Sequence, residues 1–124
     1  HSKDNIDKMK RGHPLDDEDR WPWLQNIHQL ALDHANKGVI IACSALKKSY
    51  RKVIQSSANM EFIYLKADKK TIAKRLALRK NHFMPTSLLD SQFEALEAPK
   101  NGCILDATQT FDTNAKLVVS FLQK

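Results

Sequence analysis

Apolar residues recur along this chain at helical spacing in some stretches and in short continuous runs in others, and the two patterns alternate. From Asp4 to Arg11 the pattern fits a short helix, ended by Gly12, which tolerates the left-handed backbone, and then by Pro14. Asp16 or Asp17 is placed to cap a second helix that carries Trp23, Leu24, Ile27, Leu30, Ala31 and Leu32 and stops near Gly38. Pro22 falls in its early turns, where proline costs least. Val39 to Ser44 is a run of strand length with little alternation, which predicts a strand covered on both faces. A helix is predicted from Leu46 to about Gln55, and a second buried strand over Phe62 to Leu65, rich in aromatic and branched residues.

Asp68 caps a further helix carrying Ile72, Leu76 and Leu78, and after the break at Pro85 another runs from Thr86 to Leu96. Cys103 to Leu105 reads as a third strand. A last helix from about Asp112 sets Ala115, Val118, Val119 and Leu122 on one side. Strands alternating with helices predict an α/β fold with a parallel sheet and helices on both faces, although three strands are few for such a sheet.

Composition narrows the classes. The chain has 124 residues, enough for one domain with its own core. Its 42% hydrophobic and 27% charged residues are those of an ordinary globular protein, and no apolar run approaches the length of a membrane span. Cys43 and Cys103 lie in apolar runs and read as buried thiols of a reducing, cytoplasmic compartment, with a disulfide as the alternative. A net charge of +6 favours anionic partners: nucleotides, sugar acids or nucleic acid. Nucleic acid is disfavoured by the interleaved Asp and Glu.

Several basic residues invite a closer reading. Arg20 follows a turn and offers a planar fork suited to a carboxylate, against the plainer reading of a surface ion pair with Asp16 or Asp17. Lys47 and Arg51 stand four apart on a predicted helix that follows a strand, where open α/β sheets hold their ligands; the alternative is a solvated helix face. Arg75 and Arg79 are also four apart, and alone would read as a solvent-facing ridge with Lys74 and Lys80. Trp21 and Trp23 face different directions on a helix, and Trp23 is expected in the core.

Three segments together carry a recognisable pattern: GHPLDDEDRWPWL from Gly12 to Leu24, ACSALKKSYR from Ala42 to Arg51, and HFMPTSLLDSQFEALE from His82 to Glu97. With Asn5 to Met9 and His1, they resemble the gluconokinase family in order and through nearly the whole chain. The resemblance implies a P-loop kinase fold like those of shikimate and nucleoside monophosphate kinases. It implies transfer of the γ-phosphoryl of ATP, with Mg2+, to D-gluconate to give 6-phosphogluconate. It places Arg20, Lys47, Arg51 and His1 on the substrate side, and Arg75, Arg79, His82 and Gln92 in a lid over roughly residues 74 to 97. Lid arginines would neutralise charge on the transferring phosphoryl, His82 would contact phosphate or cap the lid helix, and Gln92 would hydrogen-bond substrate or stabilise closure. Phe83 and Met84 read as packing residues. The loop from Asp106 to Thr110 is expected near adenine by analogy of fold.

One part of that pattern is missing. A Walker A loop needs a glycine, four residues, then Gly-Lys-Ser or Gly-Lys-Thr, so that bare amides wrap the phosphates. None of Gly12, Gly38 and Gly102 begins such a sequence. The expectation is therefore a single truncated kinase domain over residues 1 to 124 without its first, central strand, inactive and poorly stable alone, from a cytoplasmic and possible homodimeric parent. A non-catalytic sugar-acid-binding or regulatory fragment is the alternative.

Overall fold

The computed structural model describes residues 1–56, 59–79 and 85–123. Helix α1, Lys3–Lys10, opens where the Ser2 hydroxyl accepts from the Asn5 amide, and closes at Gly12, whose φ of 81° is available to glycine without strain. Helix α2, Asp17–Asp33, starts with a reciprocal cap: the Asp16 carboxylate accepts from the Asp19 amide, and the Asp19 carboxylate accepts from the Asp16 amide. Lys8 of α1 donates to the same Asp19 carboxylate at 2.7 Å, so one side chain both caps α2 and ties α1 to it.

Helix α3, Lys48–Gln55, has no side-chain cap of its own at Lys47. Its first amide, Lys48 N–H, donates instead to the Glu97 carboxylate at 2.8 Å, which also sets a negative charge at a helix N-terminus. Strand β1, Ile63–Lys66, helix α4, Lys69–Leu78, helix α5, Thr86–Ala95, strand β2, Cys103–Asp106, and helix α6, Phe111–Leu122, complete the order. Asp68 caps α4 by accepting from the Thr71 amide, and Thr110 caps α6 by accepting from the Thr113 amide. β1 and β2 run parallel with Ile63 opposite Cys103 and Lys66 opposite Asp106, α4 and α5 forming the crossover between them. α6 packs on β2.

The core lies between α2 and α3: Leu24, Ile27, Leu46, Tyr50 and Ile54 are buried together, with Trp23, Ile41, Cys43 and Phe62 packed against them. Both cysteines are free thiols, Cys103 buried and Cys43 half-buried. No helix among the described residues is long and apolar enough to cross a membrane.

Two expectations need correction. Residues 39–44 form no ladder, and instead of being covered on both faces they alternate: Ile41 and Cys43 turn to the core while Ile40 is 100% exposed. The physical reason is pairing: no strand among the described residues lies beside this segment, so it stays extended with one face open. β1 is likewise not a buried strand, since Leu65 is 60% exposed where its register partner Leu105 is 4% exposed. The helices and the parallel pairing match the pattern read from the sequence to within one or two residues at most ends.

Candidate functional site

An open cleft of about 510 Å3 lies where the start of α2, the N-terminal end of α3 and the flank of α5 converge. That volume is in the range of small-molecule sites. Pro14, Asp17, Glu18, Arg20, Lys47 and Ser91 are among the residues that line it.

Each charged group reaches the cleft for a local reason. Asp17, Glu18 and Arg20 occupy the first turns of α2, whose position the Asp16–Asp19 box fixes. Lys47 sits just before α3, in extended backbone, after a tight bend at Ala45 with φ of 38°. A left-handed φ is unusual for a residue with a Cβ and is held here by its surroundings: the Ala45 carbonyl accepts from Arg51 Nη1 at 2.8 Å.

Four polar side chains then form one connected chain. Arg20 Nη1 donates to the Tyr50 hydroxyl at 2.8 Å, the Tyr50 hydroxyl donates to Asp17 Oδ1, and Lys47 Nζ donates to the same oxygen at 3.1 Å. The Arg20 and Lys47 charges also stand over the Tyr50 ring, 5.4 and 5.6 Å from its centroid. The Tyr50 and Lys47 hydrogen bonds hold the Asp17 carboxyl below the usual carboxylate range. Burial, and then the bond to Asp17, push the Tyr50 phenol up, while the Asp17 bond raises Lys47. At neutral pH the cluster is therefore Asp17 ionised, Tyr50 protonated and Lys47 charged.

No protein-family model matches the chain. It is 48% identical over 108 residues to a probable gluconokinase of Schizosaccharomyces pombe, covering 80% of this chain and 56% of that protein. It is 47% identical over 102 residues to the thermoresistant gluconokinase of Escherichia coli, covering 80% of this chain and 58% of that one. The chain thus spans little more than half the length of these curated relatives. Among solved structures, a sugar kinase from Janibacter sp. HTCC2649 superposes with a TM-score of 0.88 at 40% identity, covering 99% of this chain and 75% of that one. A gluconokinase from Sinorhizobium meliloti 1021 superposes with a TM-score of 0.81 at 36% identity, covering 99% of this chain and 72% of that one. The chain belongs to the gluconokinase family.

Within this chain the residues singled out from the sequence fall into three groups. Arg20 and Lys47 meet at the cleft, and Arg20 bonds Tyr50 rather than forming the surface ion pair that was its plainer reading. Arg51 takes a different place: Nη1 donates to the carbonyls of Ala45 and Leu46, and Nη2 to that of Glu97 at 2.7 Å. The four-residue spacing did not make one patch because Lys47 precedes the helix in extended backbone and bonds Asp17, while Arg51 bonds carbonyls. His1 stacks on Trp23 with ring centroids 4.3 Å apart, and neither residue lines the cleft.

The third group lies on α4 and α5. Arg75 is exposed on α4; the Asp106 carboxyl at the end of β2 is lowered by its bonds from Thr108, with a smaller contribution from the Arg75 charge. Arg79 ends α4 in extended backbone rather than continuing its face. Gln92 is half-buried on α5, and His82 lies outside the described residues. From the sequence Tyr50 had no role, and Asp17 only those of a helix cap or a counter-ion. A signal existed for Tyr50: an aromatic with one polar tip inside a strongly basic segment.

Proposed function

We propose that this chain supplies the sugar-acid-binding part of an ATP-dependent gluconokinase, which transfers the γ-phosphoryl of ATP to D-gluconate to give 6-phosphogluconate. The observation that carries the reading is the pairing of Arg20 and Lys47 at one cleft in a member of this family. Two cations lining one small cleft suit a carboxylate, and Glu18 and Ser91 on the same lining suit hydroxyls. Arg51 then serves as a support, fixing the bend that delivers Lys47.

ATP and Mg2+ do not fit the residues present. Among the described residues no group of three or more His, Cys, Asp or Glu is arranged to hold a metal ion, and no glycine opens a Walker A sequence. We further assign residues of about 74 to 97, with Arg75, Arg79, His82 and Gln92, to a lid over the phosphates, and the protein to the cytoplasm, as a possible homodimer acting on gluconate and ATP without nucleic acid or membrane.

Calorimetric titration tests the binding claim: D-gluconate is expected to bind the chain and to lose its affinity in Arg20→Ala, and no heat with the folded wild type would sink it. A second reading is sugar-acid binding without phosphoryl transfer, which the Arg20 and Lys47 cleft supports equally. The two separate on one assay. ATP-dependent formation of 6-phosphogluconate is expected when the chain is extended upstream by a phosphate-binding loop, and its absence there would favour the second reading.

A further inference from the structure

Arg20 and Asp17 stand three residues apart on α2, a spacing at which arginine and aspartate ordinarily pair directly. Here they do not. The ion pairs among the described residues are Lys8 with Asp19, Lys47 with Asp17, and Lys69 with Asp90. Between Arg20 and Asp17 stands the Tyr50 hydroxyl, which accepts from one and donates to the other.

We propose that Tyr50 is a positioning residue whose hydroxyl keeps Arg20 from being neutralised by Asp17, and so holds the guanidinium fork open for the carboxylate of a sugar acid. The inference rests on the sugar-acid reading of the cleft. Tyr50 can do this because its ring is packed in place: it is 1% exposed, belongs to the core cluster with Leu24, Leu46 and Ile54, and meets Trp21 edge-on with centroids 6.1 Å apart. Only its polar tip takes part in the cleft's hydrogen bonds. The phenol has one proton, and Asp17 takes it, so the oxygen is left to accept from Arg20. The bond occupies one of five guanidinium N–H groups and leaves the rest of the fork for a bidentate contact. The buried phenol's raised pKa keeps that proton in place through neutral pH.

Phenylalanine at this position keeps the ring and its packing but removes the mediator. The Arg20 N–H and the Asp17 oxygen then lack this partner and turn to each other, filling the fork with an internal carboxylate.

Calorimetric titration of D-gluconate into the wild type, Tyr50→Phe, Asp17→Asn and the double variant tests this. Tyr50→Phe is expected to bind about tenfold more weakly, the scale of one hydrogen bond to a charged group, with little change in its unfolding midpoint. Asp17→Asn is expected to raise affinity more in the Tyr50→Phe background than in the wild type, because only there does the carboxylate occupy the fork. Unchanged affinity in Tyr50→Phe, or an equal effect of Asp17→Asn in both backgrounds, would overturn the proposal. If Tyr50→Phe does not fold, 15N spectra of the wild type still decide. Restricted rotation of the Arg20 guanidinium before ligand is added is expected, and free rotation would refute it. A wild type that binds no gluconate defeats the sugar-acid reading instead, while the Arg20 spectrum still reports on the tyrosine.

Discussion

The α2–α3 layer and the β1–β2 ribbon both carry branched and aromatic residues, yet one is closed and the other open. In the first, Leu24 is 0% exposed and the polar tip of buried Tyr50 is spent on Arg20 and Asp17. In the second, Leu65, Ile104 and Ile63 keep much of their surface, and neither α4 nor α6 contains a buried residue. The difference teaches where this chain stores its specificity. A charged cluster can be held in one arrangement only over a packed floor, and the cleft stands over the closed layer.

The contrast is broken most severely at its floor. Leu24→Ala is expected to destabilise by roughly 3 kcal/mol through the cavity it leaves, whereas Leu122→Ala, on the open side, is expected to stay within about 0.5 kcal/mol. Urea unfolding of the two variants measures both, and equal losses would mean the two regions do not differ in closure.

A smaller effect separates support from binding within the closed layer. Arg51→Ala takes the side-chain donor from the carbonyls of Ala45 and Glu97, while that of Leu46 keeps the Glu97 amide, and is expected to cost on the order of 1–3 kcal/mol. Its weakening of gluconate affinity is expected to be less than that of Arg20→Ala. Unfolding curves beside calorimetry check the ordering, and a loss of affinity as large as in Arg20→Ala would place Arg51 on the ligand.

The smallest effect is in acid. Asp17 and Asp19 are both held below the usual carboxylate range, Asp17 first by Tyr50 and Asp19 first by Lys8, so the folded state takes up protons less readily than the unfolded chain. Their contribution to stability is full above the unfolded value, about pH 4, and is lost as pH falls through the lower folded values. Thermal melts between pH 5 and pH 2, on the order set by those values, are expected to show the fall. In Asp19→Asn the fall is expected to be shallower, from a lower starting point.

Local chemistry was legible in the sequence, and pairing over distance was not. Asp16, Asp68 and Gly12 announce helix ends because caps act within a few residues. The segment 39–44 reads as a strand because its composition suits one, but a strand exists only beside another. At the cleft, Arg20 stood out as a cation following a turn, and Lys47 as one following a strand-like run. Tyr50 did not, because its partners Arg20 and Asp17 lie 30 and 33 residues away and its spacing on α3 is that of a core residue. Arg51 was misplaced for a related reason: its carbonyl partners are set by the bend at Ala45 and by Glu97, which no periodicity shows.

Glu97 gives the molecule a mechanical property. Its amide donates to the Leu46 carbonyl at 2.8 Å, its carboxylate accepts from the Lys48 amide, and its own carbonyl accepts from Arg51. Three bonds to residues on both sides of Lys47 converge on one residue just past the end of α5, like a pin through a hinge. Helix α5, which also contributes Ser91 to the wall of the cleft, is thus geared to the lysine: a tilt of one is a change of reach in the other.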